Sequence, residues 1–333
     1  MNLATRYIGL DLSSPFMAGA STFSDDLDGV RRLEDGGASA LVMHSLFEEQ
    51  ISREEMGTLH DVEGPAESFA EALSYFPDPP DFKLGPEAYL ERIRKVKEAI
   101  AIPVVASLNG STPSGWVEYA RLIQQAGADA LELNVYFLPT RAEDTCDQVE
   151  HIVRGVKNTI SIPLAVKLSP FYSSLPHVVA NVADAGASGV VLFNRFLQPD
   201  INIEELEVEP SNSLSDSSEL LLRLRWLAIL SGQTTLDLAC SGGIHTIGDA
   251  VKAIMAGATG LQVVSALFKQ GPGRMGELRK ELEAFLESHE YESLEQMRGS
   301  MNHSHCPNPE ALERANYIRV LQGWRADVQR PLL

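Results

Sequence analysis

A chain of 333 residues that is 44% hydrophobic, with ordinary glycine and proline usage, can bury a sizeable core. Its 46 acidic residues against 27 basic ones leave a formal charge of −19, which repels phosphate backbones and anionic bilayers and so argues against nucleic acid or membrane as a partner. The stretch MNLATRYIGLDLSSP lacks the basic start and apolar run of a leader, and no later stretch is long enough to span a bilayer, so a cytoplasmic location is expected. Cys146, Cys240 and Cys306 lie far apart without a CxxC pair, which argues against a disulfide framework and a thiolate metal site.

In chain order, RYIGLDLSS reads as a short hairpin, and FMAGAS (16–21) as the first of eight apolar runs. GGASALVMHS (36–45), IPVVASLN (102–109), AGADALELN (126–134), IPLAVKLS (162–169), AGASGVVLFN (185–194), LDLACSGG (236–243) and AGATGLQVVS (256–265) follow. Four of these open with the same small-residue turn, a helix end leading into a buried strand. The runs are nearly continuous in apolar residues, as parallel strands buried on both faces require, and helix-like stretches alternate with them. Eight such units predict an α/β protein, a (β/α)8 TIM-type barrel of one domain spanning 1–333, its floor closed by the N-terminal hairpin and its side covered by charged amphipathic helices over 272–322. A doubly wound open sheet is the alternative. Two long connections, 46–86 and 195–216, both follow strand ends and are expected to lie over the rim as lids.

In a barrel of this kind the chemistry sits where the strands end, so the polar residue closing each run is the informative one. These are Ser21, His44 with Ser45, Asn109, Asn134, Lys167, Asn194, Gly242 with Gly243, and Ser265. A strand must end in something polar, so a single Ser or Asn carries little weight. Lys167 carries more, because a lysine within LAVKLSP is buried unless its ammonium reaches an anion or polar ligand at the barrel mouth. CSGGIHTIGDA places two glycines just before a helix start at Thr246, where backbone N–H groups can approach a phosphate. HSHC (303–306) lacks a fourth ligand at metal spacing and reads as a solvated loop, so no metal is expected.

With these residues aligned, the chain resembles the class 1 dihydroorotate dehydrogenases, FMN-containing barrels related to the flavin domain of dihydropyrimidine dehydrogenase. The likeness runs from GLDLSSPFMAGAS through ELN, VKLSP and FN to SGGI and LQVVSALFKQGP, over residues 5–290. It implies an FMN whose phosphate rests on Gly242, Gly243, Val264 and Ser265. It also implies that Ala20, Ser21, Asn109, Asn134 and Lys167 lie near the ring and ribityl chain, with His44, Ser45 and Asn194 completing the set. Lys167 would face the N1/O2 edge of the flavin, where a cation stabilises the anionic reduced form. Asn134, Asn194 and Arg195 would meet a small-molecule substrate, and the family suggests a homodimer.

The departures fall on the substrate side. Where the family has N-x-S-C-P-N or its serine counterpart, this chain reads NVYFLPT, so Phe137 stands at the position of the catalytic base, and a phenyl group cannot take a proton. The family's N-x-M-G-x-P-N appears as ALSYFPD (72–78), its T-K-S as Met43-His44-Ser45, and the hydroxyl residue beside Asn194 as Arg195. His44 has a suitable ordinary pKa to act as an alternative base, and Tyr136 and Thr140 share the base loop. Cys146, near a helix start, reads as a small hydrophobe. Arg195 could bind a substrate carboxylate or pair with the acidic lids. The expected activity is that of an FMN-dependent oxidoreductase acting on a CH–CH or similar small-molecule substrate other than dihydroorotate. The alternatives are a flavin-binding accessory or sensor subunit of a redox system with a partner protein, a true dihydroorotate dehydrogenase of pyrimidine biosynthesis using another base, and a flavin-free phosphate-binding barrel.

Overall fold

The computed structural model describes residues 2–48, 86–110, 116–135, 146–195, 198–211 and 213–313. The strands are β1 (Thr5–Tyr7), β2 (Leu10–Leu12), β3 (Phe16–Ala18), β4 (Leu41–Val42), β5 (Leu46–Phe47), β6 (Val104–Gly110), β7 (Ala130–Val135), β8 (Leu164–Leu168), β9 (Gly189–Leu192), β10 (Gln198–Asn202), β11 (Glu207–Ser211), β12 (Asp237–Ser241) and β13 (Gly260–Val263). The helices are α1 (Leu27–Asp35), α2 (Pro86–Ala99), α3 (Trp116–Gln125), α4 (Cys146–Lys157), α5 (Leu175–Asp184), α6 (Leu220–Leu230), α7 (Ile247–Ala256), α8 (Ser265–Gln270), α9 (Arg274–Ser288) and α10 (Leu294–Met297).

Strands β3, β4, β6, β7, β8, β9, β12 and β13 pair in parallel and β13 returns to β3, closing a barrel of eight staves; β5 extends the β4 stave alongside β6. The eight-stranded expectation holds. The repeated turn explains itself in the backbone: Gly37, Gly127, Gly186 and Gly257 occupy equivalent places in the four copies, each with φ between +96° and +122°. There a side chain would strain the helix-to-strand turn.

Period-two alternation sorts each stave into an outer face under the helices and an inner face in the barrel. The inner residues are small near the floor, where Ala40, Ala130, Ala165 and Ala239 alternate with Val42, Val105, Val191 and Met17. That leaves room for the tip of the β1–β2 hairpin, whose Tyr7, Ile8 and Leu12 join the same interior cluster. The Ile8 N–H donates to the Asp237 carboxylate at the foot of β12. The hairpin therefore plugs the floor, as the sequence predicts.

Two stretches differ from the sequence reading. The 195–216 connection contains an antiparallel hairpin, β10 with β11, whose Ile203 and Leu206 are 77% and 85% exposed. Beyond Ser288 the described residues, to 313, are mostly turns, with the short α10 and a 3-10 turn at Pro309–Ala311; His303 pairs with Glu313 and His305 meets the Gly299 carbonyl. No helix among the described residues is long and apolar enough to cross a membrane. Most of the 46–86 connection, including 72–78, lies outside the described residues.

The plug makes a specific demand on β9. A Cβ on Gly189 would lie 2.6 Å from Ile8 Cγ2 and 2.9 Å from the Asp237 carbonyl oxygen. Gly189→Ala should lower unfolding stability by about 1–3 kcal/mol through overpacking. Gly155→Ala on α4, whose Cβ would meet only Val117 Cγ2 at 3.7 Å, should instead be neutral or gain about 0.5–1 kcal/mol. Urea midpoints of the two variants check the contrast.

Candidate active site

Above the floor, the barrel interior turns polar. Glu132 on β7, Lys167 on β8 and Gln262 on β13 all point inward and are 1%, 6% and 1% exposed. Lys167 Nζ donates to Glu132 Oε1 at 3.2 Å and to Gln262 Oε1 at 3.1 Å, and the Gln262 side-chain amide donates to Glu132 Oε2. Three groups from both sides of the barrel thus form a closed hydrogen-bonded ring. Lys167 was expected to seek an anion at the mouth; its anion is Glu132 on the adjacent strand. An ammonium has three N–H donors, and two are engaged here among the described residues. Below the ring, the buried Tyr7 hydroxyl has no hydrogen-bond partner among the described residues, and burial, then Glu132 and Asp237, raise its pKa well above the ordinary phenol value.

One pleat above Glu132, register sets Asn109, Asn134 and Lys167 side by side on three adjacent staves. Asn134 is buried and its Oδ1 has no hydrogen-bond partner among the described residues. An amide oxygen left unpaired in the interior costs free energy unless a ligand satisfies it. Ser45 Oγ shares a hydrogen bond with Ser107 Oγ at 2.8 Å, and Tyr89 of α2 braces the same strand through both the N–H and the carbonyl of Ser107.

His44 ends the β4 segment, half-buried. Its backbone N–H donates to Ser24 Oγ at 2.7 Å and its Nδ1 lies 3.1 Å from Asp25 Oδ1. Ser24 and Asp25 sit in a helical turn, Thr22–Asp25, that starts at Ser21, and Ser24 Oγ also donates to the Ser21 carbonyl. Ser21, Asp25 and His44 therefore belong to one local unit, next to the half-buried Ala20. Since a carboxylate only accepts, Nδ1 is the donor in this contact, and in the neutral ring that tautomer leaves the lone pair on Nε2.

Across the mouth, Gly242 and Gly243 follow β12 with φ of +93° and +81°. A Cβ on Gly242 would lie 2.9 Å from Arg223 Nη2, and one on Gly243 would lie 2.5 Å from the Leu220 backbone nitrogen. Helix α7 begins at Thr246 with a reciprocal capping box to Asp249, as the sequence places it. Val264 and Ser265 start α8, and Ser265 Oγ accepts from the Ser215 N–H at 3.1 Å. Cations gather here despite the acidic chain. Arg223 is buried and donates to the Ser241 carbonyl, Lys269 donates to the Ser215 carbonyl, and Arg274 donates to the His245 carbonyl. Burial, then the nearby Lys269, lowers the His245 pKa. Burial pushes the Cys240 thiol beneath the loop up to about 12, which leaves it inert.

Asn194 follows β9, half-buried, its N–H donating to the Leu168 carbonyl. Arg195 lies beside it with Nη2 3.9 Å from Glu219, a carboxylate that Arg223 also approaches at 3.3 Å. Phe137, Tyr136, Thr140 and the side chain of Cys146 are outside the described residues.

A family model described as dihydroorotate dehydrogenase matches residues 83–286, more than half of the chain. The chain belongs to the dihydroorotate dehydrogenase family. Similar proteins include a dihydroorotate dehydrogenase B (NAD(+)), catalytic subunit, of Thermoplasma volcanium, 26% identical over 306 residues, covering 90% of this chain and 98% of the relative. Proteins of the same name are found in Methanothermobacter thermautotrophicus, at 25% over 309 residues (89% and 97% covered), and in Methanosarcina mazei, at 30% over 220 residues (63% and 69% covered). The chain is thus an oxidoreductase enzyme of dihydroorotate dehydrogenase type.

Within this family member, the structure gathers Ala20, Ser21, His44, Ser45, Asn109, Asn134, Lys167, Asn194, Gly242, Gly243, Val264 and Ser265 at the C-terminal ends of the staves or just inside them. Sequence reasoning missed Glu132, Gln262, Asp25 and Arg223. The first two were legible as polar residues inside otherwise apolar strands, the same signal that singled out Lys167.

Removing Lys167 alone would strand a buried carboxylate. Lys167→Met should destabilise the protein by about 3–5 kcal/mol, and adding Glu132→Leu should restore much of that loss; denaturant titration of the single and double variants measures both. His245 gives a pH signature. Its folded pKa lies below the ordinary 6.5, so the unfolded state binds more protons, and stability falls as pH drops below about 6.5. His245→Gln should flatten that slope in unfolding curves taken between pH 7 and pH 5.

Proposed function

We propose that this chain is an FMN-dependent oxidoreductase that removes hydrogen from a CH–CH or similar bond of a small substrate other than dihydroorotate. The observation that carries the cofactor reading is the buried Asn134 oxygen beside Lys167, unpaired among the described residues, together with a two-glycine loop at another strand end in which a Cβ would collide with its surroundings. The donor set suits FMN: backbone N–H groups of Gly242, Gly243, Val264 and Ser265 would hold the phosphate, with the Lys269 ammonium nearby. Asn109, Asn134, Ala20, Ser21, Ser45 and Asn194 would bind the ribityl chain and ring, and Asn134, Asn194 and Arg195 the substrate. When bound, FMN supplies the two-electron acceptor. Lys167 would offer its third N–H donor and its charge to the electron-rich edge of the ring.

The substrate reading rests on Phe137, which stands where the family carries its proton-abstracting residue. A second reading, favoured by the Asp25–His44 pair and by the names of the relatives, is a dihydroorotate dehydrogenase in which His44 is the base. Asp25 would hold the imidazole with Nε2 free to take the proton. The relatives are named as catalytic subunits, so a redox partner subunit fits either reading, as does a homodimer. The 46–86 connection and the β10–β11 hairpin are proposed to flank the mouth as lids.

Purified protein should be yellow, or become so on adding FMN; a colourless protein that takes up none would sink the cofactor reading. Anaerobic mixing with dihydroorotate should leave the flavin oxidised under the first reading. Bleaching at an ordinary enzymatic rate would select the second, and His44→Asn should then slow it about 10²- to 10⁴-fold.

A further inference from the structure

The Glu132–Lys167–Gln262 ring does more than bury a lysine. Its charges are one cation, one anion and one neutral amide, so the layer beneath the mouth is neutral as a unit. A lone buried ammonium would act on anything above it with a full positive charge, since little water screens it at 6% exposure. Glu132 offsets that charge at 3.2 Å, and Gln262 fixes both partners from the far side of the barrel, accepting from the lysine and donating to the carboxylate.

Gln262 and Glu132 are also near-isosteric and occupy mirrored places, each 3.1–3.2 Å from Lys167 Nζ and hydrogen-bonded to the other. One could carry the negative charge as readily as the other. That the charge sits on Glu132 alone makes the ring neutral; two carboxylates would make it anionic and two amides cationic.

We infer that Glu132 and Gln262 are positioning residues that set how much positive charge Lys167 presents to a bound flavin, and thereby set the flavin's redox potential. This rests on the FMN reading above. Neither residue needs to touch the flavin: they act through the lysine, by holding its ammonium in place and cancelling most of its field. The ring is an electrostatic set-point, with orientation supplied by three hydrogen bonds and net charge by one carboxylate.

The test is a charge series on FMN-loaded protein: wild type, Glu132→Gln, Gln262→Glu, and the double exchange, which moves the carboxylate to the opposite side of the lysine and restores neutrality. Sulfite, which adds to the flavin as an anion, reports local positive charge without any substrate, and midpoint potentials from dye equilibration report it independently. Relative to wild type, Glu132→Gln should bind sulfite about tenfold or more tightly and Gln262→Glu about tenfold or more weakly, with the double exchange within about threefold. Midpoint potentials should fall in the same order. A merely structural role would lower melting temperatures without ordering the four proteins by charge. If Glu132→Gln fails to fold, Gln262→Glu and the double exchange still decide the matter. Flavin uptake with equal sulfite affinities across the series would overturn this inference alone; no flavin uptake by wild type would overturn it together with the cofactor reading.

Discussion

Taking the Lys167 ammonium and the Glu132 carboxylate out of water costs several kcal/mol per ion, and attraction between them offsets this only with close geometry and with the remaining donors and acceptors engaged. The barrel supplies the close geometry and, by drawing the third member, Gln262, from the opposite wall, engages two of the three Lys167 donors among the described residues. Much of the surrounding design follows. The inner residues below must be small so that the hairpin tip can seal the floor against water, and those above must be polar because the ring leaves them at the boundary between core and mouth. The layer therefore divides a packed, inert lower barrel from a chemically equipped upper one.

The mouth has two unlike halves. On the β12–β13 side, two glycines at positive φ, a capped helix and the basic residues Arg223, Lys269 and Arg274 come together inside a chain that is strongly acidic overall. On the β4 side, His44, Asp25 and Ser24 form a small polar unit tied together by short hydrogen bonds. Under the proposed function the first half would hold the cofactor. The second half holds Met43-His44-Ser45, where the resemblance drawn from the sequence would place T-K-S.

Much of the architecture was legible because parallel buried strands leave a plain trace: apolar runs ending in polar residues, and a glycine turn repeated at Gly37, Gly127, Gly186 and Gly257 that only a left-handed backbone explains. The polar rim was legible for the same reason. What the sequence hid was pairing. Nothing in LELN or LQVV announces that Glu132 and Gln262 meet across a barrel, since their separation of 130 positions becomes contact only on closure. Lys167 was read as reaching outward for lack of any sign of an inward partner. Asp25 was missed because TFSDD looks like any polar turn until it folds back on β4. The β10–β11 hairpin was missed because its two prolines, Pro199 and Pro210, and its glutamates read as loop.

The floor plug also orders events in time. The Ile8 amide finds its acceptor on Asp237, 229 positions later in the chain, so β1 and β2 are synthesised long before the stave that secures them exists. Contacts of such sequence separation form late and slow the search for the native state. Until β12 and β13 are made the barrel cannot close, and Tyr7 and Leu12 lack part of the interior cluster that buries them; unseated apolar surface of that kind is what makes partly folded chains prone to association.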